Sequence, residues 1–230
     1  MTIEAEEAAL FSRWNERKRQ NGELKIIRDG AMKPRIFEKV KAEGKTKIVF
    51  ALKEANDPDG QDWSLSDVVY EHDRWMTWDN LARWTLALSN LEDPPVWSDA
   101  QPMDVVRRRL SLETVAAVNL KKCAGGDSSI RSEILKAAKV DADLLLEQFN
   151  LYQADIIVCC GESVFDGLHE HVFPNPQISD YRSNGPHNCH SFLVGNNTTV
   201  FDFWHPQYAG KTDQFMYEAL IEVARNALKN

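Results

Sequence analysis

The sequence predicts a three-layer α/β fold built on a central, mainly parallel sheet. Three observations predict it. Short strand-like runs, at residues 48–52, 114–120, 155–160 and 199–203, alternate with stretches of helical periodicity. The first of them, Ile48 to Leu52, is apolar throughout, as a strand covered on both faces is. Four of the predicted strand ends carry polar residues or Gly, and an open α/β sheet binds ligands beyond the carboxyl ends of its strands.

The elements follow in order. Glu4 to Arg19 reads as a helix with Ala8, Leu10, Phe11 and Trp14 on one stripe, ended by Asn21-Gly22. Leu24 to Phe37 reads as either a hairpin or an extended arm. Glu38 to Ala42 is expected as a short helix closed by Gly44. After the first strand, residues 57–76 form a long loop holding Trp63, Tyr70, His72 and Trp75. Its length and aromatic content point to function rather than disorder. Thr77 or Asp79 caps a helix to about Leu91, with Trp78, Leu81, Ala82, Thr85 and Leu88 inward. Pro102 to Leu110 is a further short helix.

Thr114 to Leu120 is the second buried strand. Gly125 and Gly126 turn the chain, Asp127 or Ser128 caps a helix from about Ile130, and Asp141 begins another through Tyr152. Asp155 to Cys160 is the third strand, and Gly161 turns into a helix from Glu162 to His171. Pro174 to Asn188 reads as a Pro/Asn/Ser-rich loop. His190–Val194 and Thr199–Phe203 flank Gly195, Asn196 and Asn197 as a hairpin. Asp213 to Lys229 closes the chain as a helix, with Phe215, Leu220, Val223, Ala224 and Leu228 as inward candidates.

With 230 residues, 43% hydrophobic and 27% charged, the chain suits one globular domain with a full core. Residues 1–43 read as a helical and extended N-terminal extension of it. No run approaches membrane-spanning length and the N-terminus has no apolar signal region, so a cytoplasmic protein without a membrane partner is expected. Cys123, Cys159, Cys160 and Cys189 lack paired metal spacing. Cys159 and Cys160 should face opposite sides of one strand, as free thiols. The net charge of −8 counts against nucleic-acid binding. A basic patch from Arg107, Arg108, Arg109, Lys121 and Lys122 can coexist with it, although a charge run is more often a solvated face. His169/His171 and His187/His190 have spacings a metal can use but no convincing further ligands, so no metal site is expected.

The strand ends gather Glu54, Asn56 and Asp57, then Asn119 and Lys122, then Gly161, then His205. In a parallel sheet these fall on one edge. A carboxylate there can orient water or stabilise a cationic sugar. An amide can read a base edge, and an imidazole can stabilise negative charge on a departing base. The bland readings are a solvated acidic loop for Glu54, backbone capping for Asn119 and a structural turn for His205 before Pro206.

Residues Lys53-Glu54-Ala55-Asn56-Asp57, Val118-Asn119 through Lys122-Cys123, Asp155 to Gly161, and His205-Pro206-Gln207 together resemble the ordered motifs of the uracil-DNA glycosylase superfamily over residues 45–230. Lys53 stands where the family has Gly, Asn56-Asp57 where it has Pro-Gly or a related pair, and Gln207 where it has Ser. The Cys-x-x-Cys of the iron–sulfur subgroup is absent. The resemblance implies a uracil-DNA glycosylase-like fold and a monofunctional, cofactor-free enzyme. It would hydrolyse the N-glycosidic bond of a uracil-like, mismatched or modified base flipped from single- or double-stranded DNA. Glu54 and His205 would be catalytic; Asn56, Asp57, Trp63, Asn119, Lys122 and Gln207 would bind base or DNA. Glu54 would position water, Asn119 bond the base and His205 stabilise the leaving group. Asn56 or Asp57 could share the water, Trp63 could stack, and Gln207 or Tyr208 could fill the gap in the duplex.

The rival readings are a non-catalytic nucleic-acid or nucleotide-binding protein of the same fold, and a different α/β hydrolase or transferase. A narrow, apolar-walled pocket lined by Asn119 suits a flipped base. A broad or charged cleft suits the last rival.

Overall fold

A computed structural model describes residues 2–22, 26–57, 63–67, 76–126, 128–174, 176–182, 188–195 and 197–228. Tyr70, His72, Trp75, Asp127, His187, Asn196 and Lys229, singled out above, lie outside them. The seven described strands are β1 (Gly30–Ala31), β2 (Ile48–Leu52), β3 (Ala116–Asn119), β4 (Ile156–Cys160), β5 (Ile178–Arg182), β6 (Asn188–Val194) and β7 (Thr198–Phe203). They form one sheet in the order β1-β3-β2-β4-β7-β6-β5. β3, β2, β4 and β7 are mutually parallel, while β1, β6 and β5 join antiparallel. The sheet is therefore mixed, with a parallel centre and antiparallel margins.

Helices cover both faces. They are α1 (Ile3–Gln20), α2 (Pro34–Phe37), α3 (Met76–Ser89), α4 (Trp97–Ala100), α5 (Val105–Leu112), α6 (Arg131–Val140), α7 (Ala142–Tyr152), α8 (Glu162–Gly167) and α9 (Asp213–Ala227). α8 runs on into a π-helical turn, Leu168–Val172. Alternate residues of β2 serve opposite cores, as period-2 side-chain geometry requires. Ile48, Phe50 and Leu52 join α3 and α9; Val49 and Ala51 join α1, α6, α7 and α8. Cys160 and Cys159 divide between the cores in the same way, as free thiols.

Two expectations move. The 174–188 stretch, read as a loop, contains β5, which among the described residues pairs with β6 alone. An edge strand buries little, so Ile178 to Arg182 needs no apolar run to form. The short helix read at 38–42 falls one turn earlier, at Pro34, where Pro begins a helix without losing a bond. The described residues of 1–43 pack into the molecule: β1 extends the sheet beside β3, and α1 buries Leu10, Phe11 and Trp14 in the second core. In α9, Met216 and Tyr217 are buried alongside Leu220, Val223 and Ala224, while Leu228 is exposed. Among the described residues no helix is long and apolar enough to cross a membrane.

From β2 the chain crosses to β3 on one side. From β4 it crosses to the edge strand β5 on the other, and returns through β6 to β7 beside β4. The segment after β2 enters α3 on one face, and the segment after β4 enters α8 on the opposite face. The two connections diverge between β2 and β4, opening a crevice at the strands' carboxyl ends.

Candidate functional site

A cavity of about 610 Å³ opens at that edge. Leu52, Ala55, Trp63, Leu65 and Trp78 give it an apolar wall. Lys53, Glu54, Asn56, Asn119, His205 and Gln207 supply its polar groups. Glu54, Asn119 and His205, which come from the ends of β2, β3 and β7, thus share one cavity. It is wider and more charged than a pocket cut to a bare base, and Lys53 is one reason.

Asn119 is the last residue of β3 and is 2% exposed. Its backbone N–H donates to Asp29 Oδ2 at 2.8 Å, beyond the point where the β1 ladder stops. Asp29 is in turn held by Lys122 Nζ at 2.8 Å and by Gln148 Nε2 at 2.8 Å. This buried group fixes the strand end. The Asn119 side-chain amide makes no hydrogen bond among the described residues and lines the cavity. It offers a donor and an acceptor on one short, rigid stem.

The loop after β2 is knitted to the loop after β3. Leu120 and Lys121 donate to the carbonyls of Leu52 and Lys53, and Gly125 N–H donates to Ala55 at 2.8 Å. Glu54 lies so close to Gly125 that a Cβ there would meet its carboxyl at 2.2–2.6 Å. Gly at 125 is required by this approach rather than by a turn. The Glu54 side chain is 3% exposed and pairs with Lys121 at 2.6 Å. Lys121 also holds Glu133 at 2.9 Å. Burial works against the Lys121 ammonium, but its bonds to Glu133 and Glu54 prevail and raise its pKa.

His205 follows β7. Its Nδ1 accepts the Gln207 N–H at 3.2 Å, which leaves Nε2 as the protonated nitrogen of the neutral ring. Burial, then the nearby charge of Lys53, lower its pKa to about 4. At neutral pH the ring is therefore an uncharged donor. Asn80 of α3 secures the turn beyond it, donating to the Pro206 carbonyl at 2.7 Å.

The other expected site residues divide. Asn56 and Gln207 line the cavity. Trp63 lines it too, and its Nε1 donates to Asp57 Oδ2 at 2.9 Å. Asp57 itself is buried outside the lining and orients Trp63. Lys122 is corrected outright. Its side chain is 0% exposed, paired with Asp29 and set over the Trp14 ring at 4.6 Å, so it cannot reach a DNA phosphate. The basic patch falls with it, because Arg108 is buried against Asp79 at 3.0 Å and Lys121 is held by two glutamates. His169 stacks on Phe165, and among the described residues no group of three His, Cys, Asp or Glu can hold a metal.

Three contributors escaped the sequence reading: Lys53, Asn80 and Asp29. Lys53 had a signal, since it departs from the motif at the tip of the first strand. Asn80 had a weak one, as an amide within an apolar helix. Asp29 sits in a segment without periodicity and had none.

No protein-family model and no curated protein matches the chain.

Proposed function

We propose that this protein is a DNA glycosylase that hydrolyses the N-glycosidic bond of a uracil-like, mismatched or modified base flipped into this cavity. The observation that carries the reading is the Asn119 amide, 2% exposed and without a side-chain hydrogen bond among the described residues, at a cavity with an apolar wall. A nucleobase presents a flat apolar body and a hydrogen-bonding edge, and this site offers the complement of both. Asn119 bonds the base edge. The Glu54 carboxylate orients water or stabilises positive charge on the sugar. The neutral His205 donates Nε2–H to the oxygen on which the departing base gathers negative charge. Asp57 and Asn80 act behind these groups, through Trp63 and the Pro206 turn.

A second reading is favoured by the volume and charge of the cavity. A hydrolase or transferase taking a whole nucleotide would use the same amide and imidazole and fill more of about 610 Å³. Incubation with duplex and single-stranded DNAs carrying uracil, mismatched and modified bases separates the readings. The glycosylase reading expects abasic sites from at least one DNA, and loss of that product in Glu54→Ala and His205→Ala. No product from any DNA, or product unaffected by both substitutions, sinks it.

A further inference from the structure

Lys53 is the basic residue of the cavity lining, and the glycosylase reading leaves it without work. It stands at the tip of β2, and the strand beside it, β4, is followed at once by Gly161. Gly161 has a φ of +119°, and a Cβ there would lie 3.1 Å from Lys53 Cε and 3.7 Å from Nζ. The missing side chain makes a trough along which Lys53 extends across the end of β4. The next strand is β7, which leads to His205. The Lys53 charge is felt at His205 and at buried Cys160, so it sits on the His205 side of the cavity.

The neighbouring cations are spent. Lys121 is paired with Glu54 and Glu133, and Lys122 with Asp29. Lys53 has no ion-pair partner among the described residues. A cation near a neutral imidazole, with no carboxylate paired to it among the described residues, forms a local well for negative charge. Partial exclusion of water deepens that well.

We propose that Lys53 is the anion-stabilising group of this cavity and that the site selects ligands that carry or develop negative charge at the edge facing His205. This deepens the glycosylase reading and rests on it for its catalytic meaning: the base that leaves would be one able to depart as an anion. When the N-glycosidic bond breaks, its electron pair passes to the base, and Lys53 with His205 holds that charge until solvent protonates the base. A basic leaving group would gain most from the pair.

Free pyrimidines test this without turnover. 5-Nitrouracil is ionised near neutral pH and uracil is not, while both present the same pyrimidinedione ring. Calorimetry with the full chain should find the ionised ring bound more tightly than uracil. Lys53→Met should weaken 5-nitrouracil about tenfold or more and leave uracil within about twofold, because a contact to a charge is worth that much. Lys53→Arg should keep the preference, and unchanged uracil binding reports an intact cavity. A wild-type protein that binds both alike, or a Lys53→Met protein that keeps the preference, overturns the proposal. A DNA panel that yields no abasic sites would instead remove the glycosylase reading and leave the anion preference to be judged by these affinities.

Discussion

The Asn80 amide donates to the Pro206 carbonyl at 2.7 Å, joining the first turns of α3 to the residue after His205. The same nitrogen reaches Asp213 Oδ1 at 2.9 Å, and Asn80 Oδ1 accepts from Arg83 at 2.7 Å. A buried amide so fully used works as a clamp between α3, α9 and the turn that carries the imidazole. Asn80→Ala strands the buried Pro206 carbonyl and, among the described residues, leaves the Asp213 carboxylate to Arg83 alone. Denaturant unfolding should show a loss of about 1–3 kcal/mol, the usual cost of a buried group left unpaired. On whichever DNA is cleaved, kcat should fall more than KM rises, since the change displaces His205 rather than the base-binding amide.

Gly125→Ala tests the approach of Glu54. The φ of Gly125 is not positive, so only the contact is at stake. The added methyl has to push the Glu54 carboxyl away from Lys121. Cleavage should drop about tenfold or more, with a smaller change in stability. In a double-mutant cycle with Glu54→Ala the two losses should not add, because both act through one carboxylate. Additive losses would show that Gly125 matters for some other reason.

The parallel centre of the sheet was legible because β2 and β4 are buried on both faces and must be apolar along their whole length. β1 and β5 were not. β1 is two residues long, too short for any periodicity although both are buried, and β5 is an edge strand paired among the described residues with β6 alone. At the site, Glu54, Asn119 and His205 were legible as polar residues interrupting apolar strand ends. Lys122 was misread for a physical reason. Its charge suggested solvent, but two long-range partners, Asp29 and Gln148, lie 93 and 26 residues away in sequence and take it inside. No local pattern encodes such a meeting.

That buried group gives a third prediction. Burial pushes the Lys122 ammonium below its ordinary pKa, with Asp29 opposing. Lys122→Met leaves the Asp29 carboxylate buried without its cation and should cost about 3–5 kcal/mol. Asp29→Asn together with Lys122→Met removes both charges and should recover much of that. The single substitution should also weaken base binding, since Asp29 holds the Asn119 backbone. Equal losses in the single and double variants would show that the pair does not act as a unit.

Glu7 predicts how stability varies with pH. Burial raises its pKa from 4.5 to about 7, although its oxygen accepts bonds from Ala31 N–H and the Tyr152 hydroxyl. A carboxyl raised on folding favours the native state while it is protonated. Its contribution is complete below pH 4.5 and is lost as pH rises through 7. The swing is at most about 3 kcal/mol. Glu7→Gln keeps both acceptor bonds and cannot ionise. Its unfolding free energy, compared with wild type, should show that much less decline between acid and neutral pH. Parallel pH curves for the two proteins would place the burial cost elsewhere.

His205 has the opposite sign. Its folded pKa is lowered, from 6.5 to about 4, so its contribution is complete above pH 6.5 and is lost as pH falls through 4. Catalysis by the neutral donor should follow the same limit. The acid limb attributable to this ring should fall near pH 4 and not near 6.5, and it should be absent from His205→Gln. Nitrogen-15 shifts of the ring, followed by NMR in the free protein, would give the titration directly and report protonated Nε2 at neutral pH. Lys53→Met removes the neighbouring cation and should move the midpoint upward, while Lys53→Arg should leave it low. A ring that titrates near 6.5 in the wild-type protein would mean that His205 is open to water and cannot serve as the buried donor this site requires.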